Sequence, residues 1–214
     1  MVIERLFPHQ DQMSRFLISF FLLIYFTLPL AKDSRSFSDI VDSMKTVQGN
    51  FQQTVVDNQG EIIQEVEGSF YFKKPNMFKW NYQAPFTNQI ISDGELLYLF
   101  DPELKQVIMS SLSKLGGVSP AMLLVSEKAR KFFVIEKLDK NKNTWFRAIP
   151  KNTELTSFKS IEILFTVDTL SEMLVLDNFE NTTRIKFNKI QNNAPINDAF
   201  FLFNRPDDVD VISN

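Results

Sequence analysis

The chain has 214 residues, a formal charge of −3, no cysteine and a single histidine, His9. That length suffices for one sizeable domain with its own core. The missing thiols exclude disulfides, thiolate nucleophiles and thiolate metal sites. The acidic balance supplies no positive field to hold nucleic acid.

Near the N-terminus, Arg15 precedes an apolar run from Phe16 to Ala31, followed by the polar Lys32-Asp33. A basic start, an apolar stretch shorter than the ~20 residues of a bilayer span and a small residue before polar chain form a secretory signal. Cleavage is expected after Ala31, although Pro29 departs from a small-x-small site, and Met13 is an alternative start. The expected division is therefore residues 1–31 as signal peptide and 32–214 as the mature domain. His9 falls in the removed part, so the mature chain lacks the usual general base, nucleophile and transition-metal ligand. No cysteine follows the apolar run to be acylated, so export without a lipid anchor of its own is expected.

The mature chain opens on an amphipathic helix. Phe37, Ile40, Val41, Met44 and Val47 follow one apolar face, Ser36 and Asp39 form a capping box, and Gly49 supplies a stop. From Asn50 the period becomes two. Strands are predicted over Phe51–Val56, Glu61–Lys73, Met77–Tyr82, Thr87–Ser92, Glu95–Phe100 and Leu104–Met109, with turns at Asp57-Asn58-Gln59-Gly60, Asp93-Gly94 and Asp101-Pro102. After Gly116-Gly117, Ser119-Pro120 starts a short helix over Ala121–Lys128. Strands resume over Phe132–Leu138, Thr144–Ile149, Phe158–Val167, Glu172–Leu176 and Thr182–Ile190, with a last short one at Phe200–Phe203. About eleven strands and two helices, without a linker or repeat, predict a mainly β single domain built on a curved antiparallel sheet. The two helices are the candidates to cover its concave face, either as a plug of the core or as a cover that opens.

Phenylalanine is in excess at 22 residues, five of them before Lys32. Composition leaves open whether they fill a core or line an apolar cavity. Asp207, Asp208 and Asp210 read as a solvated tail, and Asp93, Asp101 and Asp177 as turn residues. Gly116-Gly117 lacks the lysine of a phosphate loop. A hydrolase acting on lipid would need a nucleophile–base pair that these residues do not supply. Lys73-Lys74-Pro75 joins the two aromatic-rich strands, as an ordinary basic turn or as a cation at the rim of a cavity.

In order along the chain, Phe51-Gln52-Gln53-Thr54, Gly68-Ser69-Phe70-Tyr71-Phe72-Lys73-Lys74-Pro75-Asn76-Met77-Phe78-Lys79-Trp80, Ser92-Asp93-Gly94-Glu95-Leu96-Leu97-Tyr98, Asp101 to Val107, Ser119-Pro120-Ala121-Met122-Leu123-Leu124 and Pro206 to Ile212 resemble the LolA family of periplasmic outer-membrane lipoprotein carriers. The resemblance covers nearly the whole mature chain. It implies a single-domain, unclosed antiparallel β-barrel under a helical lid, acting as a monomeric periplasmic chaperone without a cofactor and without enzymatic activity. Its implied partners are acylated lipoproteins, an inner-membrane ABC transporter that releases them and an outer-membrane acceptor. A sensing or binding module of the same fold is the alternative, and an acceptor of that fold would need the acylated cysteine that is missing here. The implied cavity residues are Phe70, Phe72, Phe78, Trp80, Tyr82, Tyr98, Met122 and Leu123. Lys74 stands where the family has an arginine that latches the lid; an ammonium lacks the planar guanidinium fork, so its latch is less fixed in geometry.

Overall fold

The computed structural model describes residues 35–83, 85–112, 119–140 and 143–213. The expected signal segment and the Gly116-Gly117 turn lie outside the described residues.

The chain runs α1 (Phe37–Ser43), β1 (Thr46–Val56), β2 (Ile62–Lys73), β3 (Met77–Tyr82), β4 (Gln89–Asp93), β5 (Leu96–Asp101) and β6 (Gln106–Ser111). It continues through α2 (Met122–Val125), α3 (Glu127–Arg130), β7 (Phe133–Lys140), β8 (Asn143–Pro150), β9 (Phe158–Thr166), β10 (Thr169–Asp177), β11 (Thr182–Asn192) and β12 (Asp210–Ser213). All twelve strands form one sheet in the order β12-β6-β5-β4-β3-β2-β1-β11-β10-β9-β8-β7, with β12 and β7 as its edges, so the barrel is unclosed. Neighbours are antiparallel except for β12, which lies parallel to β6.

The predicted capping box is present. Ser36 Oγ accepts from Asp39 N at 3.1 Å and the Asp39 carboxylate takes Ser36 N at 2.8 Å. Those bonds to Ser36 hold the Asp39 pKa below its ordinary value. The helix nevertheless stops at Ser43 rather than running through Val47. Met44 is extended, and Thr46 and Val47 belong to β1, where Val47 pairs with both β2 and β11. Val47 satisfies a helical and a strand period at once, and ladder pairing on both sides decides for the strand. Gly49 is thus not a helix stop. It sits at a β1 bulge, where a Cβ would come within 2.7 Å of Ile190 and 2.8 Å of the Asn188 carbonyl.

Two further expectations are corrected. The second helix is broken at Ser126, whose extended backbone ends α2 and whose hydroxyl caps α3 by accepting from Ala129 N at 3.2 Å. Phe200–Phe203 is not a strand: a 3₁₀ turn over Asp198–Phe201, capped by Asn197, packs on β3 and β4. The twelfth strand is β12 instead, so the acidic C-terminal residues are not a free tail. Asp208 pairs with Lys105 at 2.7 Å, and Asp210 N bonds the Lys105 carbonyl at 2.8 Å.

The main core lies on the concave face. Phe37, Ile40 and Val41 of α1 pack there, with Phe37 edge-on to Phe146 of β8 and Phe165 of β9 at 5.4 and 5.9 Å. The four apolar residues of α2 join the same core. On the convex face the segment after β11 forms a second layer, in which Phe200 meets Tyr71 and Phe203 meets Tyr98 and Phe100.

Candidate functional site

Strand alternation sends Phe70 and Phe72 of β2 and Phe78, Trp80 and Tyr82 of β3 to the concave face. In register, Phe70 opposes Trp80 and Phe72 opposes Phe78. Phe51 of β1 reaches across to Trp80, with ring centroids 4.3 Å apart, by lying over Gly68. A Cβ at Gly68 would fall 2.0 Å from the Asn81 carbonyl and 2.7 Å from the Phe51 ring, so glycine is required for that close approach.

Above these rings is a cavity of about 190 Å³. Phe72, Phe78, Trp80 and Tyr82 form one wall with Ile90 of β4. Met173 and Val175 of β10 and Ile185 of β11 form the facing wall, and Ser119–Ala121, leading into α2, closes one side. Gln53 and Thr183 are its polar members among the strands. The Tyr82 hydroxyl donates to Gln53 Oε1 at a long 3.4 Å. Burial pushes the Tyr82 phenol above its ordinary pKa, while the neighbouring Trp80 indole pulls the other way. The indole N–H itself is buried and has no partner in hydrogen-bond geometry among the described residues.

Of the eight expected cavity residues, Phe72, Phe78, Trp80 and Tyr82 therefore line the space. Phe70 is wholly buried beneath them, against Phe72, Trp80 and Phe187. Leu123 is also wholly buried. Met122 lines a separate depression of about 360 Å³ with Asn76, Gly94 and Phe132. Tyr98 is on the wrong face: alternation gives the inward position on β5 to Leu97, while the Tyr98 ring stacks on Phe203 at 5.0 Å and its hydroxyl donates to Asp93 at 3.0 Å. Burial and the Asp93 carboxylate raise its pKa.

Lys74, in the turn between β2 and β3, donates through Nζ to the Val41 carbonyl near the end of α1 and pairs with Asp42 Oδ1 at 3.0 Å. The same Asp42 oxygen receives Arg130 Nη2 at 2.7 Å. Arg130, buried at the end of α3, also donates to the Leu123 carbonyl of α2 at 3.4 Å. Asn76 N bonds the Val125 carbonyl at 3.1 Å. Asp42 thus ties α1, the β2–β3 turn and the α2–α3 pair together. Burial raises the Asp42 pKa, but the Lys74 hydrogen bond and the charges of Arg130 and Lys74 outweigh it, and the net direction is down. Lys74 is also pulled below its ordinary value: burial and the nearby Arg130 charge prevail over the Asp42 pair.

An unclosed β-sheet with helices packed on its concave face and an apolar cavity beside them agrees with the family that the sequence resembles. The sequence model of the family described as Outer membrane lipoprotein carrier protein LolA matches residues 42–204. The chain belongs to this family. It is 35% identical over 172 residues to the Outer-membrane lipoprotein carrier protein of Methylobacillus flagellatus, covering 79% of this chain and 83% of that one. It is 34% identical over 181 residues to the protein of the same name from Nitrosomonas europaea, covering 83% and 87%. Among solved structures it is similar in fold to an uncharacterized conserved protein from Thermus thermophilus, with a TM-score of 0.51 at 11% identity, over 83% of this chain and 97% of that one.

Against the LolA pattern, sequence reasoning missed Asp42 and Arg130. Asp42 reads as a polar position on an amphipathic helix, and Arg130 as one more charge beside Lys128 and Lys131. It also missed the facing wall from β10 and β11, because pairing between strands far apart in sequence leaves no local signal. Their apolar alternation was the available hint.

Proposed function

We propose that this protein is a periplasmic carrier of lipid-anchored proteins. Exported by residues 1–31 and acting as a monomer without a cofactor, it receives acylated lipoproteins from an ATP-driven inner-membrane transporter. It shields their acyl chains against Phe72, Phe78, Trp80 and Tyr82, then yields them to an outer-membrane acceptor. It carries out no chemical step on its cargo. The observation that carries this reading is the apolar cavity under a cover tied by one carboxylate between two cations.

The energetics support transfer rather than storage. Exposing an acyl chain to water costs ~0.8 kcal/mol per methylene, so passage between two membranes needs a shield. Moving the chain from a bilayer into an equally dry cavity gains roughly nothing, so loading draws on energy supplied by the transporter. Unloading then requires only that the cover open. Lys74, Asp42 and Arg130 serve as that catch, a few polar bonds that join α1, the β2–β3 turn and the α2–α3 pair beside the buried apolar residues of both helices.

The test uses the mature chain from Lys32, incubated with transporter-containing proteoliposomes that hold a labelled lipoprotein. ATP-dependent appearance of a soluble one-to-one complex is expected. Phe78→Glu, which sets a charge in the cavity wall, is expected to lose that complex while keeping its circular dichroism spectrum. Absence of release from a folded wild-type sample with a matched transporter would refute the carrier role.

A further inference from the structure

The strand registers extend the cavity beyond its rim, on the basis of the carrier reading above. Trp80 opposes Ile90, Ile90 opposes Leu99, Leu99 opposes Ile108 and Ile108 opposes Ile212. Directly opposed residues share a sheet face, so these five form one apolar row on the concave side from β3 to β12. With strands ~4.8 Å apart, the row is about 19 Å long. Trp80 is buried in the cavity wall, whereas Leu99 is 40% and Ile212 44% exposed. A second depression of about 310 Å³ lies over Leu99, Leu104 and Ile108 and shares Tyr82 and Ile90 with the cavity.

The cavity alone is small. Pockets that enclose a drug-sized ligand run from about 300 to 1,000 Å³, against about 190 Å³ here. A long acyl chain therefore overflows the space under the cover, and the shared lining residues continue that space onto the exposed row. We propose that Ile90, Leu99, Ile108 and Ile212 form a track that holds the distal part of a long acyl chain whose proximal part fills the cavity.

The shape and charge of the row favour this occupant. It is one residue wide, which matches a hydrocarbon chain and falls short of the ~800 Å² that a stable protein interface buries on each side. Asp101, Gln106 and Asp210, opposed to one another on the same three strands, border it. Two carboxylates beside the row oppose contact with an anionic membrane surface. They leave an uncharged alkyl chain unaffected.

The experiment compares two fluorescent peptides, identical but for an N-terminal octanoyl or palmitoyl group, binding to the mature protein and to Leu99→Thr/Ile108→Thr. Threonine preserves strand propensity at both positions, and circular dichroism checks the fold. The variant is expected to bind the octanoyl peptide within about twofold of wild type and the palmitoyl peptide about tenfold more weakly, a loss worth fewer than about two fully buried methylenes. Unchanged palmitoyl binding, or equal weakening of both peptides, would overturn the track and leave the cavity standing. Failure of wild-type protein to bind either peptide would overturn the carrier reading as well. Binding of wild-type protein to phosphatidylglycerol vesicles, lost in a variant that still holds the palmitoyl peptide, would reassign the row to membrane contact.

Discussion

The two ends of the sheet treat the same problem differently. Over β8 and β9, α1 fills the concave face: Phe37 meets Phe146 and Phe165 edge-on, and Ile40, Val41 and Ile161 are fully buried. Over β3 and β4, rings of comparable size line a space instead, and the residues leading into α2 border it without filling it. One half is filled by interdigitation, whereas the other keeps an apolar space beside helices whose polar ties converge on Asp42 of α1. The difference shows how one continuous sheet can be close-packed over one part and keep an apolar space over another.

The largest expected contrast is in side-chain truncation. Phe37→Ala should cost about 3–5 kcal/mol of unfolding free energy, because a close-packed site leaves a void. Ile90→Ala, at a half-buried position already facing a cavity, should cost under about 1.5 kcal/mol. Urea unfolding of both variants checks this; similar losses would remove the distinction between the two ends.

Smaller effects are expected at the catch. Asp42→Ala leaves Lys74 and the buried Arg130 side by side without an anion, and should lose about 1–3 kcal/mol. Lys74→Leu should trap or lose cargo in the release assay, whereas Lys74→Arg, which restores a fork able to bond both Val41 and Asp42, should keep transfer at wild-type level. Wild-type behaviour of the leucine variant would remove Lys74 from the catch.

The smallest effect is in pH dependence, and its sign is the same for the two partners: both folded pKa values are depressed, so stability rises with pH through each range. Asp42 has a folded pKa below its ordinary 3.8, so its contribution is present above that value and is lost as pH falls through the depressed one. The stability difference between wild type and Asp42→Asn should hold constant from neutral pH to about pH 5 and vanish in stronger acid. Lys74 is depressed below 10.5, so the unfolded chain binds its proton more readily. Between the depressed value and 10.5, that group by itself makes stability rise with pH, even as the catch loses its charge. Urea midpoints measured across both ranges, for wild type, Asp42→Asn and Lys74→Leu, separate these contributions.

Much of this was legible before the fold was known. Strand β3 alternates so cleanly that Phe78, Trp80 and Tyr82 could be assigned to one face from period alone, and the capping box placed the start of α1. Phe70-Tyr71-Phe72, by contrast, is apolar on both faces, and only the family resemblance pointed to Phe72. Tyr98 could not be assigned from period either. The stretch Leu96 to Phe100 is apolar on both faces, and only the convex layer around Phe203 decides which side is which. Val47 shows the same limit in a helix, where pairing across the sheet overrode the helical pattern.

By itself, the sequence determined the mainly β fold class, the shared face of Phe78, Trp80 and Tyr82 and the place of Lys74 between the aromatic-rich strands, because each is written in local periods or adjacent residues. The tertiary structure alone decided that Lys74 and Arg130 share one oxygen of Asp42, that β10 and β11 supply the facing wall and that Asp210–Ser213 completes the sheet. Those are contacts between residues tens of positions apart. Burial and strand register create them, and neither is a property of any short stretch of chain.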